Sequence, residues 1–373
     1  MFIASFRVSK TKLSLLAGMC LLPFGAIAQD LSQSSPTQPN FTPIIKQMIE
    51  RSVLPGYTAL EASALAEEKI IQKLCLNPTT ENLSKARQSY VTMVSAWSAV
   101  EIFRLGPARK DNRQEKLFFW PDRKSIGLKQ VRNLIVEEDQ KALSPEKLQT
   151  KSVALQGLLA LEYVLFGKGS EVLSTGDLGR YRCHYGATIS KTMALTARDI
   201  SEDWSKPNGY ADLMYNAGPD NPVYRSKGEV MQDFLRVASE MIQSVRDLKL
   251  HNSIKDGPGK SKPKRAPLWR SGLTIHAIKD NLNSVTNLMN TGGLGSFTPR
   301  YAKSIEFELE QTNNTLTKLE QRKEPWIEMV KQKDAHQILS YILIPLEGAK
   351  NITADLIPAE LGLSLGFNSL DGD

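Results

Sequence analysis

The sequence predicts an all-α protein built as two helical-bundle domains, and three observations lead there. Apolar residues recur at steps of three and four almost throughout the chain, alternating strand patterns are scarce, and helix start and stop signals fall where the stripes begin and end. The stripes place helices near 41–74, 79–105, 126–138, 144–167, 177–204, 226–250, 270–291, 297–320 and 334–356. Pro78-Thr79-Thr80 with Glu81 opens the second of these and Gly106-Pro107 ends it, while Ser144-Pro145-Glu146 opens the fourth. Val230, Phe234, Val237, Met241, Val245 and Leu248 mark one face of the sixth, and Ile275, Ile278, Leu282, Val285 and Met289 one face of the seventh. Tyr301, Ile305, Leu309, Thr312, Leu316 and Leu319 do the same for the eighth. A cluster of Pro, Gly and Asn, from Pro207-Asn208-Gly209 to Gly218-Pro219-Asp220-Asn221-Pro222, reads as a linker. It divides the chain into an N-terminal bundle at 41–205, a linker at 206–225 and a C-terminal bundle at 226–373.

Residues 1–28 read as a secretory signal peptide. Arg7, Lys10 and Lys12 form a basic start, Leu13–Phe24 an apolar run too short to span a membrane comfortably, and Ala26-Ile27-Ala28 a cleavage site before Gln29. An uncleaved anchor is the alternative; a lipid anchor is disfavoured because Met19 stands before Cys20. The formal charge is +7, and loss of these three basic residues leaves +4, which is no argument for a nucleic-acid partner. No later segment is apolar for long enough to cross a bilayer, so an exported chain of the periplasm or cell envelope is expected. Export leaves Cys75 and Cys183 as an even pair in an oxidising compartment, so a disulfide is expected, with two buried free thiols as the alternative.

Catalytic signatures are mostly absent. His184, His251, His276 and His336 are scattered singly, and Gly259-Lys260-Ser261 lacks the earlier glycine of a phosphate loop. Lys255–Arg270 is rich in basic residues and reads first as a solvated loop, with an anion patch as the alternative. Two carboxylates are placed less comfortably. Leu155, Leu158, Glu162 and Leu165 share a helix face, so Glu162 projects from an apolar stripe. Glu101 stands at the edge of the stripe Tyr90, Met93, Trp97, Val100 and Arg104, with Arg104 one turn on. A buried carboxylate needs a partner, so Glu162 belongs either to an internal polar or metal site or to an ion pair with an arginine. Phe118-Phe119-Trp120-Pro121-Asp122 is either a plug at the bundle end or a wall of a cleft.

Read together, Trp97–Pro107, Phe119-Trp120-Pro121-Asp122, Gly157–Gly167, Arg182-Cys183, Trp269–Leu273 and Gly366–Asp373 resemble the imelysin family of exported bacterial proteins. The resemblance implies a two-domain helical fold, a link to iron uptake through an iron source or envelope uptake components, and a peptidase ancestry by name. It nominates Glu101, Arg104, Trp120, Asp122 and Glu162 as site residues, with Glu162 as a ligand of iron or zinc. The family motif Gly-x-His-x-x-Glu is broken here, because Leu159 stands where the histidine belongs in Gly157–Glu162. Leucine ligates nothing, so peptidase activity is not expected unless a replacement ligand such as His184 or His336 is recruited.

Overall fold

The computed structural model describes residues 39–363, and among them every regular element is helical. The signal-peptide segment 1–28 and the Gly366–Asp373 motif lie outside the described residues.

The main helices are α1 (Leu54–Leu76), α2 (Thr80–Val100), α3 (Ile126–Glu137), α4 (Gly157–Phe166) and α5 (Arg180–Ser205) in the N-terminal half. The C-terminal half holds α6 (Lys227–Gln243), α7 (Thr274–Asn290), α8 (Pro299–Glu320) and α9 (Leu343–Asn351). α1 is the second part of the predicted 41–74 helix. It is joined to Thr42–Met48 by a π turn, Ile49–Val53, in which the Leu54 N–H reaches back to the Ile49 carbonyl. Pro55 follows at once and has no N–H to give, so the wider turn keeps the helix continuous across a residue that would otherwise break it. The same arrangement recurs at Ile352–Leu356, ahead of Pro358.

Three predicted helices are interrupted, each for a local reason. The 79–105 helix starts where its cap requires, with the Thr79 hydroxyl accepting from the Asn82 N–H at 3.2 Å, but it ends at Val100. Beyond it the Phe103 carbonyl is taken by the Tyr57 hydroxyl at 3.1 Å, and Ile102, Phe103 and Leu105 turn into the core. The 144–167 helix is three pieces: single turns at Pro145–Leu148 and Val153–Leu155, then α4. Gly157 opens α4 at φ +74°, and a Cβ there would lie 2.3 Å from the Leu117 carbonyl oxygen, so only glycine lets the preceding loop approach this closely. The 334–356 helix bends at Ile342 between Lys333–Tyr341 and α9.

α1 packs on α5 and α2, and Cys75 at the end of α1 is bonded to Cys183 near the start of α5, with Cα atoms 5.5 Å apart. α2 also packs on α7, so the first half meets the second directly, and one hydrophobic cluster contains residues of both. The 206–225 segment carries a short helix, Tyr210–Tyr215, and near its end holds Tyr224, whose hydroxyl donates to Asp233 of α6 at 2.6 Å.

Candidate functional site

A cleft of about 1010 Å³ opens where the aromatic loop 118–122, α3 and α4 of the first half face the 247–270 region of the second. Its apolar lining includes Phe119, Trp120, Leu159, Leu248 and Trp269, and its rim carries the basic loop Lys255–Arg270. The aromatic loop is therefore a cleft wall rather than a plug, and the basic loop, though solvated, faces a concave surface.

Glu162 lies at the inner end of this cleft with no exposed surface. Its Oε1 accepts from the backbone N–H groups of Arg270 at 3.0 Å and Ser271 at 2.9 Å, and the Ser271 hydroxyl lies 3.0 Å away. The Arg270 guanidinium stands 3.5 Å from Oε2. These donors come from a tight turn in which buried Leu268 is held at φ +58° and the Leu273 N–H closes onto the Leu268 carbonyl at 3.0 Å. Successive N–H groups converging on one oxygen make an anion nest, and here the anion is a side chain of the protein itself. Burial pushes the Glu162 carboxyl above its ordinary value, opposed by the Ser271 N–H and the Arg270 charge. The ion-pair alternative drawn from the sequence is thus present, with Arg270 as the arginine. The same turn delays the start of the predicted 270–291 helix to Thr274.

Trp120 and Asp122 form the opposite wall. The Trp120 indole N–H donates to the Arg265 carbonyl at 3.2 Å, tying the aromatic loop of the first half to the basic loop of the second. Asp122 accepts from the Ile126 N–H at 2.8 Å and the Leu128 N–H at 3.2 Å, capping α3 and holding the loop on it. Both carboxylates that the sequence nominated in the cleft are therefore occupied by donors of the protein.

Glu101 and Arg104 do not line the cleft; they lie beneath it. Glu101 is buried and meets Lys249 Nζ at 2.8 and 3.0 Å, the Asn281 side-chain amide at 3.0 Å and Arg104 at 3.3 Å. Asn281 accepts from Lys249 at 2.5 Å and donates to the Ser98 carbonyl at 2.9 Å, so a closed network joins α2, α7 and the π turn Ser244–His251. Lys249 also sits 5.8 and 5.9 Å from the ring centres of Phe118 and Trp120, directly under the aromatic wall. Burial opposes the charge on Glu101, but Lys249 and Arg104 prevail and hold its carboxyl below the ordinary range. Sequence reasoning missed Lys249 and Asn281. The signal was there: Lys249 follows Met241 and Val245 at steps of four, and Asn281 follows Ile278 at three, each a polar residue on an apolar stripe.

An iron or zinc ion at Glu162 requires several carboxylate, imidazole or thiolate donors around one point. Every polar contact of Glu162 is instead a hydrogen-bond donor, and among the described residues no three His, Cys, Asp or Glu side chains converge on a metal position. The residues do not fit a directly bound ion. Neither proposed replacement ligand lines the cleft: His184 is exposed on α5, and His336 is buried with Nε2 3.0 Å from the Ile254 carbonyl oxygen.

Comparison with known proteins agrees with this architecture. The imelysin family matches residues 53–343, most of the chain. The chain belongs to the imelysin family. Two solved structures share the fold of this imelysin: an imelysin-like protein from Psychrobacter arcticum has a TM-score of 0.68 at 17% identity, covering 87% of this chain and 96% of that one. A protein from Parabacteroides distasonis described as an iron-regulated protein A precursor has a TM-score of 0.71 at 14% identity, covering 88% of this chain and 97% of that one. Among curated proteins, the iron-regulated protein A of Synechococcus elongatus is 20% identical over 248 residues, which is 65% of this imelysin and 63% of that relative. The match therefore spans less than two thirds of the relative's length. No helix among the described residues is long and apolar enough to cross a membrane.

Proposed function

We propose that this imelysin is an exported protein of the periplasm or cell envelope that serves iron acquisition through the cleft between its N-terminal half (41–205) and the loop of its C-terminal half (226–373), without acting as a peptidase. Family membership and a curated relative named for regulation by iron support the iron role. The basic, apolar and small-residue order of residues 1–28 supports export. The observation that carries the non-peptidase reading is the pair Leu159 and Glu162. The first cannot ligate, and the second accepts at Oε1 from the Arg270 and Ser271 N–H groups and has the Arg270 guanidinium 3.5 Å from Oε2, which argues against a metal-activated water there. On this reading the partners are an iron source and the envelope components that take up iron.

Radioactive iron uptake by cells lacking the protein, grown under iron limitation, tests the role. Uptake should fall and return with the wild-type gene, and unchanged uptake rejects it. Hydrolysis of unfolded casein by the purified protein supplied with zinc or ferrous iron tests the other half. Turnover lost on Glu162→Gln substitution restores the metallopeptidase reading with a replacement ligand.

A further inference from the structure

The charges of the cleft are asymmetric in a way that specifies a ligand. Its carboxylates are committed to the protein: Asp122 to the start of α3, Glu162 to the Arg270–Ser271 turn, and Asp247 to its neighbour Arg246. Several of its cations are not. Lys255, Lys262, Lys264 and Arg265 line the cleft, and among the described residues none of the four is within ion-pair distance of a carboxylate. Lys255 and Arg265 both donate to the Asn252 side-chain oxygen, at 2.9 and 2.8 Å, which holds them together on one rim. Like charges gathered without a counter-charge repel, and an anion between them relieves the repulsion.

The rest of the cleft argues against a simple inorganic anion. A volume near 1010 Å³ is at the upper end for small-molecule sites and far larger than one phosphate requires. The partly exposed rings of Trp120 and Trp269 stand in its walls, and Leu159 and Ala160 lie in its lining on α4. Trp120 has its N–H committed to Arg265, so what it offers a ligand is ring surface. Trp269 has Lys264 at 5.4 Å and Arg270 at 4.3 Å from its ring centre, which places charge and aromatic surface side by side.

We propose that the cleft is a receptor for a multidentate aromatic organic anion of the catecholate class, its oxygens held by Lys255, Lys262, Lys264 and Arg265 and its rings laid on the tryptophan and leucine surface. For cargo the proposal rests on the iron reading above: iron enters as the preformed, negatively charged ferric complex, because the cleft supplies cations and apolar surface but no converging set of metal-ligating side chains. Chelate oxygens complete the coordination of iron, and the protein recognises the chelate.

The test is equilibrium dialysis, with quenching of tryptophan fluorescence as a second readout, of purified protein against three probes: ferric dihydroxybenzoate complex, iron-free dihydroxybenzoate and ferrous sulfate. Wild type is compared with Lys262→Glu/Lys264→Glu/Arg265→Glu, with Lys262→Glu alone should the triple variant not fold, and with Lys303→Glu on α8, outside the cleft. The ferric complex is expected to bind, to bind about tenfold or more weakly in the triple variant, to weaken as salt is raised, and to be unaffected by Lys303→Glu. Equal binding in all variants overturns the assignment. Binding of ferrous sulfate alone overturns it while leaving the iron reading in place. Binding of the acid with and without iron at equal strength, lost in the triple variant, upholds the receptor and removes iron as its cargo. Binding of none of the probes overturns it.

Discussion

Replacing Glu162 by alanine should destabilise the protein by about 3–5 kcal/mol, the cost of removing one partner from a buried, hydrogen-bonded charge pair. The structure shows why the loss belongs in that range. The carboxylate has no solvent exposure and is the acceptor for two backbone N–H groups, and the Ser271 hydroxyl and the Arg270 guanidinium also face it. Its removal leaves the two N–H groups without a partner, each worth about 1–3 kcal/mol if water does not reach it, and an arginine only 19% exposed without its counter-charge. Part of this is recovered if water enters from the cleft, which sets the lower bound. Glu162→Gln keeps one carbonyl acceptor for the turn but loses the charge, so its cost should be smaller than that of alanine. Urea unfolding followed by circular dichroism gives the comparison, provided the slope with denaturant is unchanged. Arg270→Ala adds a control: it removes the guanidinium but leaves both N–H donors, so it should cost less than Glu162→Ala. If Glu162→Ala unfolds at the same urea concentration as wild type, the nest is not a structural anchor, and the inference that Glu162 is spent on holding the two halves together fails.

Three further outcomes follow from the same geometry. Lys249→Met should cost about 3–5 kcal/mol by leaving Glu101 charged and buried, while Lys249→Met combined with Glu101→Leu should recover much of it; a double-mutant cycle with no coupling rejects the pair as a unit. Glu67, fully buried on α1, has its carboxyl pushed up to about 8 by desolvation, with the Ser89 hydroxyl pulling the other way. A raised carboxyl value means that the folded state holds its proton longer, so the contribution of Glu67 to stability should be full below its ordinary value of 4.5 and be lost as pH rises from there through about 8. The full drop is on the order of 5 kcal/mol, at about 1.4 kcal/mol per pKa unit, and Glu67→Gln should flatten it; an unchanged pH profile of unfolding in that variant rejects the assignment. Reduction of the Cys75–Cys183 disulfide, which bridges a sequence separation of 108 residues, should destabilise by up to about 4–5 kcal/mol, and thiol titration of denatured, unreduced protein should find no free thiol from this pair.

Much of the secondary structure was legible because helical periodicity is a local property. The stripes on α6, α7 and α8 bury most of the residues that the spacing nominated, Phe234, Leu282 and Leu309 among them, because a residue three or four positions on returns to the same face. Helix starts were legible where a side chain caps its own helix, as Thr79 does for α2. The breaks at Val100 and Gly157 were not, since each depends on a distant group: the Tyr57 hydroxyl claims the Phe103 carbonyl, and the Leu117 backbone comes close enough to exclude a side chain.

The same division runs through the site. That Glu162 and Glu101 need partners could be read from an apolar stripe interrupted by a carboxylate, because the desolvation cost of a charge depends only on its being buried. Which partner each finds could not. Glu162 meets a turn 108 residues away, and Glu101 meets a lysine 148 residues away. Nor does any local pattern say that the basic loop and the aromatic loop form the two sides of one cleft. What the sequence by itself determined is the helical class, the family and the loss of the motif histidine at Leu159. Only the tertiary structure decided that the surviving glutamate is an internal anchor and that the free charge of the cleft is positive, because pairing among charges is settled by distances in space, and these arise when the two halves of the chain pack together.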